Sequence, residues 1–162
     1  MQLTIRNLKQ GDLRAIQEIL PLYWPEENLR VRFMDRLTGI ANQDPEIIGS
    51  GFVGLVAEEN DKVVGVGAFR KAPQHMLDYA TPGANTAEGY LLATNPRNSG
   101  VGEALVKKAL DLMKEAGYTE VVLYNGESHK DSWGFYEHLK FENAGPMAAP
   151  NGEVGVVWKM VL

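Results

Sequence analysis

The sequence has 162 residues, a length typical of one folded domain and sufficient to bury a hydrophobic core without disulfides. Its 21 acidic residues outnumber its 16 Lys and Arg, and no basic run appears, which argues against a nucleic-acid partner. The absence of cysteine excludes disulfides and thiolate chemistry, and three scattered histidines do not predict a metal cluster, so we expect no metal.

The first forty residues predict one strand and two helices. Leu3 and Ile5 alternate with polar residues, as in a short strand and unlike a signal peptide. Asp12 is the expected N-cap of a helix that ends at Pro21, and residues 28–37 predict a second helix. No segment has the length and apolarity of a membrane span, so we expect a cytoplasmic protein with no membrane partner.

The middle of the chain predicts a β-hairpin followed by a long loop. Apolar residues alternate from Val53 to Phe69 around a polar tip at Asn60-Asp61, as in two antiparallel strands joined by a tight turn. Residues 71–86 contain two prolines and one glycine with little periodicity, and we interpret them as a loop. Loops of this length inside a domain are often functional.

The second half alternates between strands and helices. Predicted strands cover residues 87–94, 121–124 and 154–161, and predicted helices cover about residues 100–116 and 130–139. The helix at 100–116 has one apolar and one charged half, and Gly117 stands where a left-handed residue would end it. The element order predicts an α/β (α+β) fold with a mixed sheet, in a single domain spanning residues 1–162.

A glycine-containing turn joins the strand at 87–94 to the long helix. Free backbone N–H groups at a helix N-terminus suit a phosphate, and Gly100 and Gly102 would let it approach without a Cβ in the way. An ordinary turn before a helix explains two spaced glycines equally well. The segment is neither a dinucleotide fingerprint, because Leu105 replaces the third glycine, nor a P-loop, because no Gly-Lys-Ser/Thr follows.

Two motifs carry a resemblance to a known family. Arg97-x-x-Gly100-x-Gly102 after an apolar strand resembles the acyl-CoA pyrophosphate motif of the GNAT acetyltransferases. Some 35 residues later, the segment from Ser132 to Phe141 resembles that family's small-x-x-Phe-Tyr-x-x-x-Gly-Phe motif. Together with the element order, the resemblance covers essentially the whole chain. It implies the GNAT fold: a mixed, mostly antiparallel sheet with helices on both faces.

Three positions depart from the family pattern. Pro96 directly precedes the motif arginine, so the turn is about two residues shorter than usual. Lys140 replaces the usual glycine before Phe141, and a lysine in a left-handed conformation costs about 1 kcal/mol, so the helix is expected to end differently. His129 replaces a frequent asparagine, which puts a cofactor contact there in question.

The resemblance implies an N-acyltransferase with acetyl-CoA as cosubstrate. The acetyl group would pass to a primary amine of a small molecule or peptide by direct attack on the thioester, and the backbone N–H of Leu92 would polarise the thioester carbonyl. The implied cofactor contacts are Leu92, Ala93, Thr94, Arg97, Asn98, Ser99, Gly100, Val101, Gly102, Ser132 and Phe135.

Two side chains are candidate catalytic residues. Tyr136 is the expected general acid for the leaving thiolate, and the alternative is a tyrosine that only packs beside Phe135. Glu88 is the expected base, nine residues before Arg97, because the family's strand glutamate stands about eleven residues before and the turn here is shorter. Its alternative is an exposed carboxylate at the start of a strand.

The acceptor and any protein partner stay open at this stage. Tyr23, Trp24, Glu26 and Glu27 lie where the family often forms its acceptor wall, and the alternative is ordinary aromatic packing at a helix end. A catalytically idle acyl-CoA-binding regulatory module of the same fold is the alternative function. Homodimerisation through the last strands is left open.

Overall fold

The protein forms seven strands and five α-helices in the described part of the chain. The structure is a computed structural model and describes residues 2–96 and 100–162. The strands are β1 (Leu3–Asn7), β2 (Val53–Glu59), β3 (Lys62–Lys71), β4 (Thr86–Thr94), β5 (Glu120–Gly126), β6 (Glu142–Ala148) and β7 (Val154–Val161). The helices are α1 (Leu13–Ile19), α2 (Glu27–Ala41), α3 (Pro45–Gly49), α4 (Val101–Glu115) and α5 (Trp133–His138). Short 3₁₀ helices cover Gln10–Asp12, Leu20–Leu22, Gln74–Tyr79 and Glu127–Ser132.

All seven strands belong to one mixed sheet in the order β1-β2-β3-β4-β5-β7-β6. The β4–β5 pair is parallel, whereas β1–β2, β2–β3, β5–β7 and β6–β7 are antiparallel. The hairpin expected from the Asn60-Asp61 tip is present, and both tip residues have the positive φ angles of a tight hairpin turn. The predicted mixed, mostly antiparallel sheet is confirmed.

The chain comprises two compact units. The first comprises Met1–Arg70 and Leu91–Asp111, and the second comprises Lys71–Tyr90 and Leu112–Leu162. Fully buried side chains of the first unit come from helices and strands alike: Ile16, Leu20, Leu37, Leu55, Val56, Val66, Phe69, Val101 and Leu105. The expectation of a single domain stays a prediction.

The predicted long loop, residues 71–86, lies in the second unit and contains a 3₁₀ helix. The 3₁₀ helix Gln74–Tyr79 lies within it and inserts Met76, which is fully buried, beside Val122 and Val157. The Tyr79 hydroxyl donates to the backbone oxygen of Pro146 in β6. Tyr79 therefore joins this 3₁₀ helix to the sheet.

The N-terminal helices differ from the sequence prediction in three ways. The Asp12 carboxylate accepts from the backbone N–H of Lys9 and from Arg6, at 2.8 Å, instead of capping α1. The second helix, α2, begins at Glu27 and runs four residues past Leu37 to Ala41. α3, which begins at Pro45 behind an Asp44 cap, was not anticipated.

Helix α5 ends as the family pattern would, despite its lysine. Lys140 has φ +74°, a left-handed conformation, and its N–H and that of Phe141 bond the oxygens of Glu137 and Tyr136 at 3.0 Å. The expectation of a different helix end was wrong. Two backbone hydrogen bonds and the burial of Phe141, which is 5% exposed, offset the left-handed cost of about 1 kcal/mol.

Candidate active site

The C-terminal half of β4, in the first unit, presents one backbone edge away from β3. The Asn95 N–H donates to Val64 of β3 at 2.8 Å, so the Thr94 C=O of the same trans peptide points the opposite way. A Cβ on Gly67 of β3 would lie 3.7 Å from the Leu91 oxygen, so that oxygen faces β3. The Leu92 N–H, the expected donor to a thioester carbonyl, therefore points away from β3.

The parallel ladder between β4 and β5 is short. It pairs Thr86–Gly89 with Glu120–Leu123, whereas β4 continues to Thr94. An edge that leaves its ladder offers N–H and C=O groups to an extended partner. Leu92 and Thr94 lie on this continuation and are half-buried, while Ala93 between them is buried against the interior.

Helix α4 starts directly after the glycine turn and is held tightly against β3. Gly65 permits this approach, because a Cβ there would lie 2.8 Å from Val101 and 3.0 Å from Leu105. Val101 itself is fully buried. Gly100 has φ +82°, and a Cβ on it would meet nothing within 4 Å, so the turn has the left-handed backbone and open space expected for phosphate contact.

The structure describes only part of the predicted phosphate turn. Arg97, Asn98 and Ser99 lie outside the described residues, so their expected cofactor contacts stay predictions. Gly102 lies in the first turn of α4 and is half-buried. The first unit thus holds six of the predicted cofactor residues within the described ranges: Leu92, Ala93, Thr94, Gly100, Val101 and Gly102.

Glu88, in the second unit, is a buried carboxylate. It is 6% exposed and pairs with Val122 in the β4–β5 ladder, next to the last ladder residue, Gly89. The alternative of an exposed carboxylate at a strand start was wrong, because the strand begins two residues earlier and is covered. Its role as the base stays a prediction.

Tyr136 lies in α5 of the second unit and is 7% exposed. Its ring packs against Phe135, Phe141 and Trp158, with centroids 5.1, 5.7 and 6.2 Å away. Burial raises the pKa of Tyr136 to about 12. The phenol is therefore protonated at neutral pH. The packing is equally what the alternative reading required, so the catalytic role stays a prediction.

Two further predicted cofactor residues lie just before Tyr136. The Ser132 hydroxyl is 2.7 Å from the His129 oxygen, to which it donates, and 3.3 Å from the Asn125 side-chain oxygen. Phe135 is half-buried beside Tyr136. Ser132 thereby joins the 3₁₀ turn to the end of β5.

One contact at the site was not foreseen from the sequence. The Tyr23 hydroxyl donates to the Thr94 backbone oxygen at 2.6 Å and lies 3.3 Å from the Thr94 hydroxyl. The two residues are 71 positions apart, and nothing in the local pattern of either one indicates the other. Of the other expected wall residues, Trp24 packs on Phe33, and Glu26 and Glu27 are exposed.

Neither a membrane helix nor a metal-binding group is found in the part of the chain that the structure describes. No helix within residues 2–96 and 100–162 is long and apolar enough to cross a membrane. In the same ranges, no three His, Asp or Glu side chains are grouped so as to hold a metal ion.

Comparison with known proteins assigns the family. The acetyltransferase (GNAT) family model matches residues 13–141, which is most of the chain and includes β4, the glycine turn and α5. The chain therefore belongs to the GNAT acetyltransferase family, as the two motifs had indicated. No curated protein sequence matches the chain.

Solved structures share this fold at low sequence identity. A PaiA N-acetyltransferase from Thermoplasma acidophilum in complex with coenzyme A has a TM-score of 0.72 at 19% identity, with 100% of each chain covered. A phosphinothricin acetyltransferase from Sinorhizobium meliloti in complex with AcCoA has a TM-score of 0.72 at 20% identity, covering 100% of this chain and 89% of that one. The ribosomal-protein-S18-alanine N-acetyltransferase from Escherichia coli has a TM-score of 0.69 at 19% identity, covering 99% and 94%.

Proposed function

We propose that the protein is an acetyl-CoA-dependent N-acetyltransferase that acts on a primary amine of a small molecule or a peptide. The observation that carries this proposal is the β4 edge: Leu92 and Thr94 point their backbone groups away from β3, beyond the end of the β4–β5 ladder. A pantetheine arm has amide groups that match such an edge. Two of the family's solved structures, cited above, contain coenzyme A or its acetyl thioester.

The turn at the end of the same strand suits the pyrophosphate. Gly100 provides a left-handed backbone with open space around it, and α4 follows at once, so free N–H groups at the helix start would face the ligand. The thioester would then lie near the Leu92 N–H, and a preorganised donor of this kind is worth about 3 kcal/mol in other acyl transfers.

The chemistry of transfer falls to Glu88 and Tyr136 in this proposal. Glu88 takes a proton from the attacking ammonium group, directly or through water, because a protonated amine has no free electron pair. The amine nitrogen then bonds the acetyl carbon and the carbon–sulfur bond breaks. Tyr136 donates to the departing sulfur. Neither nucleic acid nor a membrane is expected to take part, and no metal is needed for these steps.

Calorimetry of acetyl-CoA binding is the first test, because it needs no knowledge of the acceptor. We expect micromolar binding. Binding at micromolar concentration together with thiol release in the presence of a panel of amines would support the enzyme. The assay is clean because the protein has no cysteine. Binding without transfer to any amine would favour the regulatory module, and no binding even at millimolar ligand would refute both.

Substitution in the glycine turn tests where the cofactor lies. Gly102→Ala adds a methyl group in the first turn of α4, where alanine also favours the helix, so the fold should persist. We expect acetyl-CoA affinity to fall about tenfold, since even one weakened charge-assisted hydrogen bond to phosphate costs that much. Calorimetry measures it, and Gly11→Ala, where a Cβ meets nothing within 4 Å, is the matched control. Unchanged affinity in Gly102→Ala would place the pyrophosphate elsewhere. Gly100→Ala is less useful, because φ +82° would strain alanine.

A further inference from the structure

The Thr94 carbonyl, on the strand edge proposed for the pantetheine arm, already has a hydrogen-bond donor in this structure. The Asn95 N–H is bonded to β3, so the Thr94 oxygen points outward from the sheet edge, and the Tyr23 hydroxyl meets it at 2.6 Å. That distance is at the short end for an O–H···O bond. Both residues belong to the first unit.

The connector between α1 and α2 holds Tyr23 in this position. The backbone N–H groups of Tyr23 and Trp24 both bond the Leu20 oxygen at 3.0 Å, which closes the turn after α1. Arg30, from the first turns of α2, donates to the oxygens of Trp24 and Pro25. The Trp24 ring packs on Phe33 at 4.8 Å between centroids. The Tyr23 hydroxyl therefore extends from a connector that hydrogen bonds and ring packing hold in place.

A phenol at this position and an extended arm along the same edge compete for space. Strand-like partners run about 4.8 Å from each other. The Tyr23 oxygen lies inside that interval, 2.6 Å from the carbonyl that an arm would use. An amide N–H arriving at the Thr94 oxygen would have to replace the phenol.

We propose that the Tyr23 hydroxyl is an internal competitor of the cofactor: it satisfies the Thr94 carbonyl in the free chain and is displaced when an acyl-CoA pantetheine arm binds. The inference rests on the proposed function, since it requires that acyl-CoA use this edge. In this role Tyr23 controls the affinity for the cofactor and takes part in no chemical step. Tyr23 adjoins Trp24 in the connector that is expected to line the acceptor site. Displacement of Tyr23 by the cofactor would therefore also affect this connector.

The sign of an affinity change tests this competition. Tyr23→Phe removes one oxygen and keeps the half-buried ring, so the chain should fold. The substitution removes the Tyr23–Thr94 hydrogen bond, which stabilises the free protein but is absent from the complex. The free protein is therefore destabilised relative to the complex. We therefore expect acetyl-CoA to bind roughly threefold to tenfold more tightly, the range that one net hydrogen bond represents. Calorimetry on wild type and variant measures the difference.

Two controls separate displacement from a general effect. Tyr79→Phe removes a bond of the same kind, from a tyrosine hydroxyl to the backbone oxygen of Pro146, and should leave acetyl-CoA affinity unchanged. The fragment 3′-phosphoadenosine 5′-diphosphate carries the nucleotide and pyrophosphate without the pantetheine arm. Its affinity should be the same for wild type and Tyr23→Phe.

Each other outcome overturns the inference. Unchanged or weaker acetyl-CoA binding by Tyr23→Phe would mean that the Thr94 oxygen accepts both donors together, or that Tyr23 supports the bound state. Equal tightening for the fragment would mean that the effect does not involve the pantetheine arm. A wild-type protein that binds neither ligand would refute the proposed function and, with it, this inference, whereas binding by the wild type with an unchanged variant overturns the inference alone.

Discussion

Glu88 and Glu120 are both buried carboxylates of the β4–β5 ladder, and they lie toward opposite ends of it. Glu120 is 3% exposed and lies at the start of β5, opposite Thr86. It accepts from the Thr81 N–H at 2.8 Å and the Thr86 hydroxyl at 2.7 Å, and Lys159 lies 3.6 Å away. Glu88 stands at the other end of the ladder, beside its last pair, where β4 continues toward Leu92 and Thr94.

The difference shows that burial alone does not identify a catalytic carboxylate. Burial by itself would raise the pKa of Glu120, but the hydrogen bonds from Thr81 and Thr86 and the charge of Lys159 outweigh it, so that its pKa lies below the usual value of 4.5. Glu120 is stabilised in its charged form and already accepts hydrogen bonds from fixed donors, so it is a poor base. Its bonds join the loop residue Thr81 to the sheet. Glu88 differs from Glu120 in its position, next to the last pair of the ladder, and its role as the base stays a prediction.

The largest effect on turnover is expected from Tyr136→Phe. Loss of a general acid typically costs about 100-fold or more, while acetyl-CoA affinity should change little, because the ring and its aromatic contacts stay. Since the pKa of Tyr136 is raised to about 12, its ionisation should not appear in a wild-type pH–rate profile below about pH 10. Steady-state kinetics with Tyr79→Phe as control measure both. An unchanged rate would leave Tyr136 as packing alone.

A smaller loss, about tenfold to 100-fold in turnover, is expected from Glu88→Gln, because the amide cannot take the amine proton. The expected loss is in kcat, and the melting temperature should fall little. A pH–rate profile compares it with wild type across the neutral to alkaline range. Full activity throughout that range would remove Glu88 from the mechanism. Glu88 and Glu120 would then both be carboxylates without a catalytic role.

The same change at the other carboxylate, Glu120→Gln, should act on stability and leave kcat nearly intact. Loss of the charge weakens the bonds from Thr81 and Thr86 and removes the ion pair with Lys159, at a cost of about 1–3 kcal/mol in the free energy of unfolding. Denaturant titration measures it. A variant that loses turnover at full stability would show that both carboxylates serve the chemistry.

The pH dependence of that stability has a definite sign. Because the pKa of Glu120 is lowered in the folded chain, its contribution is fully present above the usual value of 4.5 and is lost as pH falls through the folded value. Wild type should therefore lose more stability on acidification than Glu120→Gln. Asp12 and Glu153, whose pKa values are also lowered, contribute equally to both proteins. Parallel acid titrations of unfolding check the difference.

The sequence by itself determined the features that depend on neighbouring residues. The period of α4, the tight turn at Asn60-Asp61 and the left-handed Gly117, with φ +94°, follow from local preferences acting over a few positions. The two motifs were sufficient to indicate the family that the comparison then assigned. Alternation along a strand also requires that Leu92 and Thr94, two positions apart, present their backbone groups on the same side of β4.

Only the tertiary structure decided the features that join distant residues. Lys140 adopts a left-handed conformation against its own preference because the burial of Phe141 and two backbone bonds offset the strain. The donors around Glu120 and the bond from Tyr23 to Thr94 depend on which groups folding brings within 3 Å, and the burial of Glu88 depends on which elements cover it. Local propensity carries no information about such pairs, because a hydrogen bond forms by proximity in space, whatever the separation in sequence.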